Sequence, residues 1–407
     1  MLRLLCYEYH KHFAKPSIFI AVLVFSLLSV VKIYGIYNEN SLFARGRDAA
    51  SSSRIKALYW DMYNDFGGEI TNAKIEELMK IYRPLEAKTA DLTASTANDD
   101  PNTYTGNVYN DYHFFKRCFV NPMEYSYMYR SYANKVSSIA KENITFYKSV
   151  GNSYEYRKNA TIVESFKGRE VKNFSYTEMY QYYTHYIFSS ILALLICLYG
   201  LVGVFVSEKE TEMDTLLITT KLGGTKTVTA KLLASILFVF AVCTWFWLLD
   251  FSAFASIFGS LKAAFSPLYA ISNFSDTALN INLWQYTILS SAVKTAGMLI
   301  LGMGILVLSS LFKNALYPFI ISLAGALGLI YWHTSSMGSG HILRKVLNPF
   351  VLMANRELFR KTEFVNIFNF PVPSYLAALI IATLWGVLFA IGIVILVRKN
   401  TITHKGG

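Results

Sequence analysis

Long apolar runs alternate with polar stretches along this chain, and six of the runs are long enough to cross a membrane. They occupy residues 17–36, 186–206, 232–251, 286–311, 315–332 and 375–397. An α-helix rises 1.5 Å per residue, so about 20 apolar residues cover the roughly 30 Å hydrocarbon core of a bilayer. The pattern predicts an all-α polytopic membrane protein with six transmembrane helices.

The stretches between these runs predict the rest of the organisation. Residues 1–16 carry Arg3, Lys11 and Lys15 among leucines, which is too many charges for a span but suits a cytoplasmic helix at the membrane surface. Residues 37–185 are polar and predict one mainly helical extracellular domain between the first two spans. The other segments are a hairpin at 207–231, an interrupted extracellular or interfacial connector at 252–285, extracellular or interfacial helices at 333–374 and a cytoplasmic tail at 398–407.

Helical periodicity recurs inside the 37–185 domain. Ile75, Leu78 and Tyr82 stand at helical spacing, and Pro84 is expected to bend or end the helix that they predict. Residues 90–110 are rich in Thr, Asn, Asp and Ser, which is typical of a loop. A second, longer helix is predicted beyond this loop.

Tyr125, Tyr129 and Tyr132 follow one face of that second helix, predicted from about residue 121 to 150. A tyrosine ring supplies apolar area and its hydroxyl a polar handle, so this face could recognise an amphipathic ligand. The alternative is that the tyrosines pack helices together in a domain with few aliphatic residues, which is the more ordinary role.

Basic residues beside the runs predict which side of the membrane each end faces. These flanking residues are Arg3, Lys11, Lys15, Lys221, Lys226, Lys231, Lys313, Arg398 and Lys399. By the positive-inside rule, six crossings place them and both termini in the cytoplasm. The 333–374 segment carries five bases and falls outside, which is tolerable if its helices face lipid headgroups.

Few charged residues lie within the spans. Lys294, about two turns into the fourth run, is expected to snorkel outward, because a lysine at the bilayer centre costs roughly 2.5–3.5 kcal/mol. Asp250 ends the third run and is expected to be interfacial. A second interpretation places both residues on a substrate pathway. The spans contain few carboxylates that could bind a proton or a sodium ion, so transport coupled to either ion is not expected.

The hairpin at 207–231 is predicted to project from the membrane between the second and third spans. Ser207 and Glu210 have the spacing of a capping box, as do Thr211 and Asp214, so a short helix is predicted to begin here. It is either an ordinary solvated loop or a docking helix that takes force from a separate motor protein.

Composition limits the chemistry further. The chain is 53% hydrophobic and only 16% charged, unlike an ordinary soluble enzyme. Its net charge of +11 is spread over loops and membrane flanks, so nucleic acid is not an expected partner. His10 and His12 would diverge on a helix, and no metal site is predicted. No P-loop, nucleophile elbow or HExxH motif occurs in the sequence, so we expect neither catalysis nor a cofactor in this chain.

The layout resembles the permease subunit of ABC-2 type (type V) ABC transporters from Firmicutes, which has an interfacial helix, one span, an extracellular domain and five more spans. The hairpin is the best local match, with acids, a Leu-Leu helix, a Thr-Thr-Lys-Leu-Gly-like turn and a lysine opening the next span. The matching residues are Glu208, Glu210, Glu212, Leu216, Leu217, Thr219, Thr220, Lys221, Gly223 and Lys231. The resemblance extends to FGGEITNAKIEELMKIYR and FKGREVKNF. The chain departs from the commoner pattern at Glu212-Met213, where a glycine is usual, and at Lys221, where a proline often stands.

This resemblance implies a subunit of an ATP-driven exporter in a bacterial plasma membrane, with an amphipathic or hydrophobic substrate such as a peptide, an antibiotic or a lipid-like molecule. Two permease subunits, identical or related, would form the pathway within the membrane lipid. Two copies of a cytoplasmic ATP-binding subunit, which bind ATP and Mg, would dock on a coupling helix. Its docking residues are Glu208, Glu210, Glu212, Asp214, Leu216, Leu217 and Thr220. The alternative is a membrane sensor or resistance module that binds an envelope-active compound without net transport.

Overall fold

Helices dominate the computed structural model, which describes residues 1–43, 49–90, 100, 102–213, 225–336 and 342–403. Within these residues, six helices are long and apolar enough to cross a membrane. Numbered in chain order, they are α2 (Pro16–Asn40), α9 (Phe188–Glu210), α10 (Thr225–Phe258), α11 (Leu283–Leu311), α12 (Leu316–Ser336) and α15 (Ser374–Thr403). These six helices confirm the prediction of a mainly α-helical polytopic membrane protein.

The third span is longer than the apolar run that predicted it. Helix α10 extends beyond 232–251 at both ends. The hydrogen bonds of a helix form between its own backbone groups, so the helix can continue where the side chains become polar. Asp250 is therefore followed by about two further turns of helix. The prediction that Asp250 lies at the end of this helix is wrong.

The second span is also longer than predicted. Helix α9 runs on to Glu210, so Ser207 lies inside its last turn instead of capping a new helix. The first predicted capping box is therefore not formed. Asp214, from the second predicted capping box, lies outside the described residues, as does all of 214–224.

The chain folds as two compact units. The membrane unit comprises Met1–Lys32, Tyr183–Ala253 and Thr287–Gly407, and the polar unit comprises Ile33–Tyr182 and Phe254–Tyr286. The 252–285 connector, predicted to be a separate embedded or interfacial piece, thus belongs almost entirely to the polar unit.

Most of the described part of the polar unit is helical. Its helices are α3 (Ala49–Phe66), α4 (Asn72–Thr89), α5 (Val108–Phe115), α6 (Asn121–Ser149), α7 (Ser153–Phe166) and the start of α8 (Glu178–His185). A π-helical turn at Lys116–Val120 joins α5 to α6, and 3-10 turns form at Lys262–Phe265, Leu268–Ala270 and Ser272–Phe274. Strands β1 (Gly68–Glu69) and β2 (Asn173–Phe174) pair antiparallel. The two predicted helices are α4 and α6, although α4 does not end at Pro84.

Aromatic rings form much of the core of the polar unit. Tyr59 is 1% exposed, and its ring centroid lies 5.2 Å from that of Phe119 and 5.6 Å from that of Tyr176. Rings bury large areas and pack tilted or offset at such distances. Aromatic packing therefore replaces the aliphatic residues that this region lacks.

The tyrosine face of α6 is used inside the polar unit. Tyr125 donates its hydroxyl to the carbonyl of Tyr269 at 2.7 Å, and Tyr129 donates to that of Ser275 at 3.0 Å. Tyr132 pairs with the carboxylate of Asp276. Burial raises the pKa of Tyr129 to about 12. The three hydroxyls are occupied, so these residues pack α6 against the connector and do not form an open recognition face.

The membrane unit also contains shorter elements. They are α1 (Leu2–His12), α13 (Ile342–Leu347), a 3-10 turn (Pro349–Leu352), α14 (Arg356–Arg360) and the antiparallel hairpin of β3 (Phe364–Ile367) and β4 (Phe370–Pro373). The helix at the N-terminus is as predicted. The β-hairpin formed by β3 and β4 was not predicted, because the sequence pattern indicated only helices between 333 and 374.

Three of the five bases that conflicted with the predicted topology form ion pairs with two carboxylates. Lys345 lies 2.7 Å from Glu363, and Glu357 pairs with Arg356 at 3.2 Å and with Arg360 at 2.8 Å. Burial alone would raise the pKa of Glu357, but the hydrogen bond from Arg360 and the surrounding cations lower it below its usual value. The two carboxylates offset two of the five positive charges in this segment.

Gly200 allows α9 and α10 to approach closely. A Cβ atom added at Gly200 would lie 2.6 Å from the ring of Phe238, whereas one at Gly203 would meet no heavy atom within 4 Å. The two glycines lie three residues apart on α9. Only Gly200 has this role here.

We expect Gly200→Ala to destabilise the protein by about 1–3 kcal/mol, because its methyl group would overpack against Phe238. Gly203→Ala is the matched control on the same helix, and its effect should be neutral or stabilising by up to about 1 kcal/mol. Thermal unfolding of the detergent-solubilised variants measures both. Equal unfolding temperatures for the two variants would contradict this assignment.

Candidate functional site

A buried group of charged side chains joins three helices of the membrane unit. Its members are Glu8, Lys11 and His12 from α1, Glu208 from the last turn of α9 and Lys231 from the second turn of α10. We call this group the ionic joint. It brings together residues that are almost 200 positions apart in sequence, so the tertiary fold alone assembles it.

Lys231 lies at the centre of the ionic joint. Its side chain is 2% exposed, and its Nζ atom lies 2.6 Å from Oε1 of Glu208 and 3.6 Å from Oε2 of Glu8. Nζ also donates a 2.9 Å hydrogen bond to the carbonyl of Val204. Lys11 approaches the same Oε1 of Glu208 at 2.7 Å. Two ammonium groups thus balance two carboxylates, which is the condition for burying charges at tolerable cost.

Glu8 and His12 form the second half of the ionic joint, one helical turn apart on α1. Nε2 of His12 lies 3.3 Å from Oε2 of Glu8, and each side chain is 3% exposed. Burial would raise the pKa of Glu8, but His12 and Lys231 lower it below its usual value. Burial lowers the pKa of His12, which favours a neutral imidazole in the folded protein.

The donor set of the ionic joint bears on metal binding. Ligand atoms of Glu8, His12 and Glu208 lie within 4.8 Å of one another, a combination of nitrogen and oxygen that divalent metals accept. The sequence predicted no metal site here because His10 and His12 diverge, and His10 is indeed exposed. The ammonium of Lys231 already contacts both carboxylates. A metal would have to displace it, so we interpret the group as an internal ion network.

The structure places the predicted docking residues in different environments. Glu208 is 7% exposed and is held inside the ionic joint, so its side chain is not on a docking surface. Glu210 is exposed and accepts a 2.8 Å hydrogen bond from the backbone N–H of Ala315. Glu212 is exposed, with a φ of 53° in the left-handed region. Asp214, Leu216, Leu217 and Thr220 lie outside the described residues.

Asp250 and Lys294, predicted as interfacial and snorkelling residues, line one interior cavity of the membrane unit. Asp250 is 6% exposed and accepts hydrogen bonds from the hydroxyls of Ser29, at 3.0 Å, and Ser189. Nζ of Lys294 points inward and donates a long 3.4 Å bond to the carbonyl of Tyr186. Both predictions are therefore corrected, because polar partners inside the helix bundle replace water at the interface.

The volume of this cavity limits what it can hold. It measures about 40 Å³, enough for a few water molecules but far below the roughly 300–1,000 Å³ of ligand pockets. Nothing in the sequence indicates that Ser29 and Ser189 bond to Asp250, or that Tyr186 bonds to Ser29 and Lys294. Serines are common within apolar helices, and only the packing shows which of them face a carboxylate.

Comparison with protein-family models, with curated proteins and with solved structures finds no match for this chain. The fold itself defines a multi-pass α-helical membrane protein. Among the described residues of the membrane unit, the ionic joint and the Asp250 cavity are two polar groups on which a functional argument can be built.

We expect Lys231→Met to destabilise the membrane unit by about 3–5 kcal/mol, because it leaves Glu208 and Glu8 buried without their main counterion. Lys226→Met is the matched control, since Lys226 is exposed on the same helix and should change stability by at most about 0.5 kcal/mol. Adding Glu208→Gln to Lys231→Met should recover part of the loss, as measured by denaturation of the unmodified protein, the single variants Lys231→Met and Glu208→Gln, and the double variant. Strictly additive effects would argue against direct coupling.

The titration of His12 predicts a pH dependence of stability. Because its folded pKa lies below 6.5, the unfolded chain takes up a proton first, and stability should fall as pH drops below 6.5. The slope for one group is at most about 1.4 kcal/mol per pH unit. Glu8, with a folded pKa below 4.5, adds a further loss below pH 4.5.

Denaturation at a series of pH values tests this dependence. His12→Gln should flatten the slope just below pH 6.5, whereas His10→Gln, at an exposed position, should leave it unchanged. The same slope in both variants would show that His12 is not the titrating group.

Proposed function

We propose that this chain is the transmembrane permease subunit of an ATP-driven exporter of the ABC-2 type. It would lie in a bacterial plasma membrane with both termini in the cytoplasm. The six apolar helices and the resemblance of the hairpin to that family support the proposal. The observation that carries it is the ionic joint, which fastens α1 to the two helices on either side of residues 211–224.

The ionic joint gives the hairpin a mechanical connection to the spans. Glu208 precedes the hairpin and Lys231 follows it, and their side chains are 2.6 Å apart. Lys11 and Glu8 add α1 to the same contact. Separating buried ion pairs is costly, so a push on the hairpin would move α9, α10 and α1 together as a rigid group.

The energy for that push would come from partner proteins. Two copies of a cytoplasmic ATP-binding subunit would bind ATP and Mg and press on the hairpin, because this sequence has no P-loop of its own. A second permease subunit, identical or related, would complete the pathway. An amphipathic or hydrophobic substrate, such as a peptide, an antibiotic or a lipid-like molecule, is what the family resemblance implies. The cavity of about 40 Å³ at Asp250 and Lys294 is too small to hold such a molecule, so its path would lie outside this cavity.

Sensing without transport is the second candidate function, and one observation favours it. The polar unit contains a cavity of about 390 Å³, lined by aromatic residues together with Arg117 and Glu178, and this volume is in the range of ligand pockets. The tyrosine hydroxyls of α6 do not support it, because they are occupied internally. Ligand binding by the full chain without uptake into vesicles would favour sensing.

We expect the double substitution Leu216→Asp and Leu217→Asp to lower co-purification of the ATP-binding subunit and substrate uptake by inside-out vesicles by at least about tenfold, equivalent to 1.4 kcal/mol of lost binding. The reason is that two carboxylates would replace the apolar contact of the docking helix. Phe368→Asp is the control, since Phe368 is 93% exposed and is proposed to face the opposite side of the membrane. Unchanged co-purification and uptake in the double variant would overturn the docking assignment.

A further inference from the structure

An apolar groove runs along the membrane unit between α2 and α10. Its volume is about 610 Å³, and its lining begins at Tyr9 and Phe13 and continues along α2 to Val30. Phe238 and Val242, 3% and 6% exposed, form its floor. The groove is open on one side, where Leu23 and Leu27 are each 60% exposed. Such a surface within the membrane must be covered by hydrocarbon or by protein.

Ser26 and Trp245, two polar side chains in this lining, are hydrogen-bonded within the protein. The indole N–H of Trp245 donates a 2.9 Å hydrogen bond to the hydroxyl of Ser26, and that hydroxyl donates to the carbonyl of Val22 at 2.7 Å. Phe13 stacks on Phe238 with ring centroids 4.3 Å apart. An occupant at the level of Trp245 therefore meets mainly rings and aliphatic side chains.

The length of the groove favours a lipid chain over a protein helix. Along α2 it extends from Ile18 to Val30, or about 18 Å at 1.5 Å per residue. This is about the depth of one leaflet, which is half of the roughly 30 Å hydrocarbon core. A helix from a second copy of the chain would be expected to follow α2 through both leaflets, whereas an acyl chain ends near the midplane.

Charge at the end of the groove favours an anionic headgroup. Lys15 is exposed, one helical turn before Ile18, where the groove reaches the end of α2. Lys11 is nearby but is engaged with Glu208 in the ionic joint. Lys15 is therefore the cation best placed for a lipid phosphate, because an ammonium pairs with phosphate oxygens through charge-assisted hydrogen bonds.

We propose that the groove between α2 and α10 binds one acyl chain of an anionic phospholipid whose phosphate pairs with Lys15. This site is separate from the ATP-driven mechanism proposed above and requires only that the chain spans a membrane. Trp245 reports on it directly, since its ring lines the groove.

Quenching of tryptophan fluorescence by lipids with brominated acyl chains tests the proposal. The full chain is reconstituted with increasing fractions of brominated phosphatidylglycerol or brominated phosphatidylcholine, and the signal of Trp245 is taken as the difference between the protein and Trp245→Phe. We expect the anionic lipid to quench Trp245 at about a fivefold lower fraction than the zwitterionic lipid, the factor expected for one lysine at a membrane surface. Lys15→Gln should remove this preference.

Two matched variants sharpen the test. Lys32→Gln should keep the preference, since Lys32 is also exposed on α2 but lies beyond Val30 at the other end of the groove. Ala241→Phe should fill the groove from an exposed position and abolish preferential quenching, with an unchanged unfolding temperature. Equal quenching of Trp245 by both lipids in the unmodified protein, or its protection from both, would overturn the proposal. Loss of the preference in Lys32→Gln but not in Lys15→Gln would do the same.

Discussion

An ammonium group buried away from water needs oxygen atoms that accept its hydrogen bonds, and this requirement brings together the ends of three helices in the membrane unit. Lys231 is almost fully buried, and its Nζ atom contacts Glu208, Glu8 and the carbonyl of Val204. Because an unpaired buried charge is so costly, these contacts determine where α1 and the facing ends of α9 and α10 lie. The hairpin therefore joins two helix ends that are already held together.

Two other buried charged side chains, Asp250 and Arg169, form hydrogen bonds with neutral groups. Asp250 is buried among hydroxyl groups. In the polar unit, Arg169 is 2% exposed, donates to the carbonyl of Thr277 at 2.7 Å and lies over the rings of Phe166 and Tyr269. Like the tyrosines of α6, it is bonded to the 254–286 segment. Any experiment on the polar unit must keep this segment, because a fragment limited to residues 37–185 would lose the carbonyl groups that these side chains use.

Helix α1 contributes residues to both the ionic joint and the apolar groove. Its charged side chains enter the ionic joint, while Tyr9, together with Phe13 directly after the helix, contributes to the end of the apolar groove. If both proposals hold, the lipid in the groove and the force on the hairpin act on the same helix. The composition of the membrane would then influence how that force reaches the spans.

The sequence by itself determined the six spans and the helices α4 and α6, because apolar run length and helical periodicity are local properties that the backbone expresses wherever the helix packs. It did not determine the partners of polar residues. Glu208 was expected on a docking surface, Lys294 at the interface and the tyrosines of α6 in either of two roles, ligand recognition or helix packing. Tertiary structure decided these positions, because a side chain is buried or exposed according to which distant helix lies beside it. The ionic joint and the groove likewise exist only once α1, α2, α9 and α10 have packed.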